Sequence, residues 1–509
     1  MKDNFVMTYY KKICSLFLAE VIFVGILFST SVTAAPLFSA NKMVLIDGKP
    51  RFLLGLCELP ADEQRFQQAV QAGFNIFRSS DNKADLDRIH QAHAHAWICL
   101  GRTLDLSQDI DNHRARLLEV VNKFKNHPAL LVWEGPDEAL WNSWYLNDIN
   151  FSNKELPRIR ELAAQHNDLQ DLARRIELLK ARALWSKLDA ARDEFWKKAG
   201  QPIPLPHLRF AQIPEQARKV GQGITDGIEA VRKADPDNII SLNHAPRNSI
   251  ASLRFYNRAV DMAGCDIYPV PPNLLIGHSD FPNVWLSCVG EYTDRMRQAA
   301  PGKACAMVLQ GFGWRDLHPL PADNQHHPDQ GRRPTFEESR FMAYDAILHG
   351  ANAIIYWGTH FAKDKVSPTT SNQNLEKSNP QPEYTLDTQL WRDLLRLARE
   401  LSALEDALVA PTCQPAPQCT LEEVSGSVDD KGLTWMLKKV DKDYLLIIAN
   451  ETRSGLAFTI GSLPQDLDSK MLYRLSNPET VTVKNGRFRD GIRSFNVHVY
   501  ATSRRFASK

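Results

Sequence analysis

The 509-residue sequence predicts an α/β fold, a (β/α)8 TIM barrel with a helical insertion after strand four and a C-terminal antiparallel β domain. Three observations lead to this prediction. Short apolar runs alternate with helical patterns over residues 44–410, which is typical of a parallel sheet. Eight such runs follow in one series, which favours a closed barrel over an open sheet. Beyond residue 420 the apolar pattern changes to period two, which indicates antiparallel strands.

The eight predicted barrel strands are the apolar runs of this series. They span Phe52–Cys57, Phe74–Arg78, Ala96–Leu100, Leu130–Trp133, Ile239–Asn243, Gly264–Tyr268, Ala304–Leu309 and Ala353–Trp357. Helical patterns lie between them at Glu63–Ala72, Ala84–Ala94, Asn112–Lys125, Gln212–Ala234, Val284–Ala299 and Phe336–His349. No GxGxxG or Walker-type loop follows a strand, which argues against nucleotide-binding folds.

Two segments depart from a plain barrel. The insertion, about residues 141–208, has one apolar face, made by Leu169, Leu172, Ile176, Leu179 and Ala183. It is either a helical hairpin on the barrel flank or a lid or dimer arm. The tail, residues 420–505, shows alternating runs typical of a β-sandwich-like domain. We expect this domain to brace the barrel, and carbohydrate binding is the alternative.

The N-terminus resembles an export signal. Lys11 and Lys12 precede an apolar stretch, and small residues follow up to Ala34, so residues 1–34 are predicted to be a signal peptide. Residues 21–28 form its longest uninterrupted apolar run, which is too short to span a bilayer. We therefore expect a secreted or periplasmic bacterial protein without a stable membrane anchor after cleavage. The sequence does not indicate an oligomeric state.

Charge excludes some partners. The formal net charge is +1, and removing residues 1–34 takes away three lysines and two acids, which leaves about zero. Without a basic stripe we expect no nucleic-acid partner. The sequence also lacks a convincing metal or cofactor motif, so neither is predicted.

The end of the fourth strand carries the strongest functional signal. An apolar run ends in a cluster of acids that includes Asp137 and Glu138. Chemistry in a (β/α)8 barrel is located at the carboxyl ends of the strands. Polar and aromatic residues at these ends would bind a polyhydroxylated ligand; besides Asp137 and Glu138, the candidates are Glu58, Arg78, Trp133, Asn243, Asp266, Tyr268, Gln310 and Trp357.

Within this set Glu138, Asp137 and Asp266 are predicted to be catalytic. Glu138 is the expected general acid, because an adjacent carboxylate in a half-buried cleft raises the pKa of an acid. The other seven are expected to bind substrate. An alternative for Asp137 and Glu138 is that they only cap the next helix, where acids are favoured.

These motifs resemble the clan-A glycoside hydrolases, the (β/α)8 retaining glycosidases. In that family a Trp on strand four is followed by three residues, an Asn and the acid/base Glu. Here Trp133 is followed by three residues and then by Asp137 and Glu138, with Asp where Asn is usual. Arg78 and the segments 265–269 and 349–357 match strands two, six and eight. The chain is most like a bacterial branch with Leu-Gln-x-Phe on strand seven. The resemblance implies a secreted hydrolase of O-glycosidic bonds in an oligo- or polysaccharide, with Glu138 as acid/base.

One departure concerns the nucleophile. The resemblance puts a Glu at the end of strand seven, where this chain has Gln310, and an amide cannot form the glycosyl-enzyme intermediate. Either Asp266, Glu58 or Asp137 acts instead, or the substrate supplies the nucleophile, or the protein is a non-catalytic glycan-binding protein on a degenerate barrel. A lyase or esterase acting on sugars is a further possibility. A second carboxyl about 5–5.5 Å from Glu138 implies retention of configuration, and about 6.5–9.5 Å implies inversion.

Overall fold

The computed structural model describes residues 37–245, 247–272, 282–317, 331–365, 384–424 and 432–507. The predicted signal peptide lies outside these residues. The chain from Leu37 onward forms one unit in which the barrel and the C-terminal strands are in contact. None of the helices in these ranges combines the length and hydropathy needed to cross a membrane.

The predicted barrel is confirmed: eight parallel strands follow in chain order, and the last pairs with the first. A hairpin of β1 (Val44–Ile46) and β2 (Lys49–Arg51) precedes them. The barrel strands are β3 (Leu53–Leu56), β4 (Ile76–Ser79), β5 (His95–Cys99), β6 (Leu130–Glu134), β7 (Ile239–His244), β8 (Met262–Ile267), β9 (Ala304–Gln310) and β10 (Ala353–Trp357). Each end lies within two residues of its predicted position.

Helices surround the barrel and build the insertion. Along the chain they are α1 (Glu63–Ala72), α2 (Lys83–Gln91), α3 (Ile110–Phe124), α4 (Ala139–Asn150), α5 (Leu156–Gln165), α6 (Gln170–Ala181), α7 (Trp185–Ala199), α8 (Ile213–Ala234), α9 (Ile250–Asn257), α10 (Cys288–Ala299), α11 (Trp314–Leu317), α12 (Phe336–Leu348), α13 (Gln389–Ala403) and α14 (Glu405–Val409). A short hairpin of β11 (Asp364–Lys365) and β12 (Tyr384–Thr385) follows β10.

The period-two geometry of the strands decides which side chains enter the barrel. Val132 on β6 packs in the apolar interior with Ile76 and Val308, whereas the neighbouring Trp133 packs outside among the helices. The same alternation continues to the carboxyl ends of the strands. One inward-facing side chain from each strand therefore lies at that end of the barrel, which we call the mouth. We call these residues the mouth ring; they are Cys57, Arg78, Cys99, Glu134, Asn243, Asp266, Gln310 and Trp357.

The insertion consists of α4 to α7 and has an apolar core of its own. Leu169, Leu172, Ile176 and Leu179 are buried there as predicted. Ala183 is exposed, because α6 ends at Ala181. Helix α4 packs against the barrel helix α8, which supports the flank interpretation. The lid and the dimer arm stay predictions.

The C-terminal strands form two antiparallel sheets around a separate apolar core. One sheet contains β13 (Gln418–Val424), β16 (Leu456–Gly461) and β19 (Phe488–Ile492); the other contains β14 (Leu433–Val440), β15 (Asp443–Asn450), β20 (Val497–Ala501), β17 (Met471–Arg474) and β18 (Thr480–Thr482). The second sheet packs against α12 of the barrel. The contact supports the expected bracing role.

Candidate active site

Glu134 is the last residue of β6 and enters the barrel on the same face as Val132. Its carboxylate lies 3.4 Å from the Arg78 guanidinium, and its side chain is only 14% exposed. Burial raises the pKa of Glu134 to about 7, although Arg78 opposes the shift. The strand predicted from the sequence ends at Trp133, one residue before Glu134, so Glu134 was not among the predicted site residues. A charged residue in phase with Val132 was the signal that could have revealed it.

Glu138 lies four residues further on, where the chain turns from β6 into α4. Its φ of +48° is in the left-handed region, which is strained for a residue with a side chain and is often found at functional sites. Glu138 occupies the N-cap position, but its carboxyl makes no capping hydrogen bond. Capping by a side-chain hydrogen bond is therefore excluded for Glu138. The turn leaves the carboxyl directed to other partners.

Those partners are the carboxyl groups of neighbouring strands. Burial, followed by the charges of Asp266 and Asp137, raises the pKa of Glu138 far above its usual range, and a hydrogen bond with Asp266 adds to the shift. Asn243 Nδ2 donates to Asp137 Oδ1 at 2.9 Å and to Asp266 Oδ1 at 3.4 Å. Desolvation and Asp266 also raise the pKa of Asp137. The structure thus brings together the three acids predicted to be catalytic, and the raised pKa of Glu138 favours its protonated form.

Aromatic side chains form one wall of the mouth. Tyr268 and Trp357 stack with ring centroids 5.6 Å apart and an interplanar angle of 19°. Phe312 packs edge-on against both of these rings, and Trp314 packs against Tyr268 and Phe312. Tyr268 is buried and Trp357 is partly exposed, so the indole is the surface that a ligand can reach. Flat aromatic faces suit the apolar face of a sugar ring.

A second aromatic pair lies on α4, within two turns of Glu138. Trp141 and Tyr145 stack with centroids 5.5 Å apart, and Tyr145 is 41% exposed. Neighbouring Trp144 instead packs on Trp185 in the insertion core. Trp141 and Tyr145 were not among the predicted site residues.

Two predicted substrate-binding residues are wrong. Trp133 is fully buried outside the barrel, where its indole Nε1 donates to Asp235 Oδ2 at 2.7 Å. Gln310 is fully buried as well: its amide donates to the Val270 carbonyl at 2.8 Å and the Phe312 carbonyl at 3.1 Å, and its Oε1 accepts from the Val270 N–H at 2.9 Å. Gln310 fastens the loop after β8 and offers no surface to a ligand.

Glu58 lies after β3, at the side of the mouth next to β10. Its carboxylate accepts a hydrogen bond from the Thr359 hydroxyl and lies 3.5 Å from His360 Nδ1. Neither contact involves the acids of β6 and β8. The contacts of the Glu58 carboxylate are therefore with residues that follow β10.

Two thiols complete the mouth ring. Burial raises the pKa of Cys57 well above its usual range, and the charges of Glu134 and Glu58 reinforce the shift. Burial and Glu134 raise the pKa of Cys99 in the same way. Because the thiolate is the nucleophilic form, this environment argues against cysteine chemistry.

One cluster away from the mouth has the spacing of a metal site. Asp345, His349 and Glu451 offer ligand atoms within 4.8 Å of one another. His349 Nε2 lies 2.7 Å from Glu451 Oε1 and Nδ1 lies 2.8 Å from Asp294 Oδ2. Both ring nitrogens therefore donate, and an imidazolium has no lone pair for a metal. The donor set fits an ion pair better than a metal ion.

A cavity lies inside the barrel beneath the mouth ring. About 50 Å³ of it is open to the centre of a water-sized sphere, which is room for a few waters. Its walls are largely apolar, and Glu134, Asn243 and Ser241 provide its polar lining.

No family model and no curated protein sequence matches the chain. Among solved structures, it is similar to the β-galactosidase from Bacillus circulans sp. alkalophilus, at 9% identity and a TM-score of 0.47, with 89% of this chain and 99% of that chain covered. It is also similar to a glycoside hydrolase family 5 protein from Bacteroides vulgatus, at 12% identity and a TM-score of 0.46, with 89% of this chain and 90% of that chain covered. A third similar structure is a GH30 endoxylanase from Clostridium papyrosolvens, at 8% identity and a TM-score of 0.40, with 89% of this chain and 96% of that chain covered. At such identities the function has to be argued from this chain's own residues.

Proposed function

We propose that the protein is a secreted or periplasmic glycoside hydrolase that cleaves O-glycosidic bonds of an oligo- or polysaccharide, with Glu138 as general acid. The observation that carries the proposal is the cluster of Glu138, Asp137 and Asp266 at the mouth of the barrel, where burial and the charges of the other two carboxylates raise the pKa of Glu138 and favour its protonated form. Hydrolysis of a glycosidic bond requires such a protonated carboxyl beside the leaving oxygen.

The neighbouring residues support this role. Asn243 donates to both Asp137 and Asp266, the carboxylates whose charges raise the pKa of Glu138. Trp357 gives the mouth an aromatic surface against which a sugar ring can stack. Trp141 and Tyr145 offer a second such surface near the start of α4. The carboxyls and the amide provide polar partners for sugar hydroxyls.

Product release from an oligosaccharide panel, followed by mass spectrometry, tests the proposal. The mature protein is compared with Glu138→Gln and with Glu119→Gln, a change on the outer helix α3. We expect products from the mature protein and from Glu119→Gln, and at least about 10²-fold less from Glu138→Gln. Equal product from all three proteins would contradict the role of Glu138.

A non-catalytic glycan-binding protein is the second candidate. The observation that favours it is Gln310, which occupies the position of the nucleophile in the resembling family and makes its hydrogen bonds to backbone. Calorimetry distinguishes the two functions. Saturable glycan binding by the mature protein, with no product after prolonged incubation, would support this candidate against the hydrolase.

A further inference from the structure

The barrel topology brings two aromatic surfaces to opposite sides of the mouth. Trp357 is the last residue of β10, and the stacked pair of Trp141 and Tyr145 lies on α4, which follows β6. In the closed order of the barrel, three strands separate β6 from β10 in either direction. Glu138 lies on the β6 side, at the start of α4. A sugar chain that contacts both aromatic surfaces therefore has to cross the mouth.

Helix geometry gives the position of the pair relative to Glu138. Glu138 is the N-cap residue of α4, and its carbonyl accepts from the Asn142 N–H at 2.8 Å, so it belongs to the first helical turn. Trp141 and Tyr145 follow after about 0.8 and about 1.9 turns, on the same side of the helix as the Cα of Glu138. Along the helix axis they lie about 4.5 Å and about 10 Å beyond it. The pair thus begins within one turn of the general acid and leads away from it.

The turn that carries Glu138 is fastened both to α4 and to the neighbouring strand β7. Asn142 Nδ2 donates to the Asp137 carbonyl at 3.1 Å. The Glu138 N–H donates to the Asn243 carbonyl at 3.2 Å. These hydrogen bonds hold the start of α4 at the mouth, so the aromatic pair keeps a fixed position relative to the acid.

The pair is ordered and accessible. Trp141 and Tyr145 stack with centroids 5.5 Å apart and an interplanar angle of 23°, so each ring restricts the other. Tyr145 is 41% exposed, and the next residue, Leu146, is 44% exposed. Elsewhere on α4, Leu140 packs in the barrel core and Trp144 packs against the insertion core. An aromatic surface that is already ordered loses little conformational freedom when a sugar ring stacks on it.

We propose that the Trp141–Tyr145 pair is the subsite for sugar units on the leaving-group side of the scissile bond, and that the substrate is a chain that continues beyond the leaving sugar. This role rests on the proposed hydrolase function, in which Glu138 donates its proton to the glycosidic oxygen. That oxygen departs with the leaving sugar, and α4 runs outward from the acid. A chain that continues past the leaving sugar reaches Tyr145, whereas a simple glycoside does not.

The dependence of activity on chain length tests this subsite. The kcat/KM is measured on oligosaccharides of the cleaved sugar, from the disaccharide upward, and on the glycosyl fluoride, whose leaving group contains no sugar. For the mature protein, we expect KM to fall as units are added on the leaving-group side. Tyr145→Ala should lower the ratio of kcat/KM on a long oligosaccharide to kcat/KM on the fluoride by about 3–10-fold, mainly through KM, because a stacking contact is lost.

Two further variants show whether the aromatic face is responsible. Tyr145→Phe keeps the ring and should restore most of the ratio. Leu178→Ala is the matched control, because it removes another exposed apolar side chain, 49% exposed, from α6 of the insertion, and it should keep the wild-type ratio. If Tyr145→Ala fails to fold, Tyr145→Leu serves instead. It keeps apolar volume without an aromatic face and should give the same fall.

The outcomes separate the two proposals. A wild-type ratio in Tyr145→Ala, with product still formed, would overturn the subsite and leave the hydrolase in place. A wild-type ratio together with a changed oligomeric state, measured by light scattering, would also overturn it and would identify the pair as a contact between copies of the chain. No product from the mature protein on any oligosaccharide or on the fluoride would overturn the hydrolase itself, and the subsite with it.

Discussion

The ion-pair cluster around His349 predicts a pH-dependent stability that can be worked out from its contacts. His349 bridges Asp294 of α10 and Glu451, which follows β15 in the C-terminal sheets. Burial opposes its charge, but the hydrogen bonds to Asp294 and Glu451 outweigh burial and raise the pKa of His349 to about 10. Asp345 faces the same ring at 3.9 Å, and Arg297 donates to the His349 carbonyl.

The sign and size follow from linkage. A folded-state pKa above the unfolded value stabilises the folded protein fully below about pH 6.5, and this contribution is lost as pH rises toward about 10. The difference of about 3.5 pKa units corresponds to about 5 kcal/mol in the free energy of unfolding, falling by about 1.4 kcal/mol per pH unit in that window.

The assay is urea unfolding of wild type and His349→Gln at pH values between about 6 and 9. The advantage of the wild type should be largest at the acidic end and shrink by about 3 kcal/mol over two pH units. His127→Gln, whose acidic neighbour Asp87 is exposed, should show a much smaller change. A difference that is constant with pH would refute the reasoning, and stabilisation of wild type alone by excess Zn²⁺ would identify a metal site instead.

Three further substitutions test other parts of the structure. Trp133→Phe removes the hydrogen bond to Asp235 and should lower the free energy of unfolding by about 1.5–3 kcal/mol in urea titrations, with kcat unchanged; a strong rise in KM would restore Trp133 as a binding residue. Gln310→Glu should lower the free energy of unfolding by about 2–4 kcal/mol and should not raise kcat, because the new carboxylate would face two buried carbonyl oxygens. A large gain in kcat would contradict this expectation. Arg192→Met leaves the buried Glu155 without its ion-pair partner and should lower the free energy of unfolding by about 3–5 kcal/mol in urea titrations. An unchanged free energy of unfolding would contradict this expectation.

Much of the barrel could be predicted because its strands are local apolar runs. A parallel strand covered on both faces is apolar along its whole length, so each run is visible without knowledge of its neighbours. In the C-terminal region the period-two alternation indicated antiparallel strands, as in β14 and β15. β13 and β19 are harder to see in the sequence, because Glu423 and the Arg489–Asp490 pair interrupt their alternation.

The site was only partly predictable, because which way a side chain faces depends on register. Glu138 and Asp266 could be predicted because they lie near the carboxyl ends of barrel strands. Trp133 and Glu134 are adjacent, and a one-residue shift in phase exchanges the inner face with the outer one. Gln310 could not be judged from its own strand, because its partner Val270 lies 40 residues away in the chain.

The central claim is that Glu138 donates a proton to the leaving oxygen, and the dependence on leaving group tests it most directly. The kcat/KM of wild type and Glu138→Gln is compared on aryl glycosides of the cleaved sugar, from a phenol of high pKa to one that needs no protonation. The account predicts a loss of about 10²–10⁴-fold on the poor leaving group and almost none on the activated one. An equal loss on both substrates would contradict it, because a residue that only binds or positions the sugar is needed whatever the leaving group.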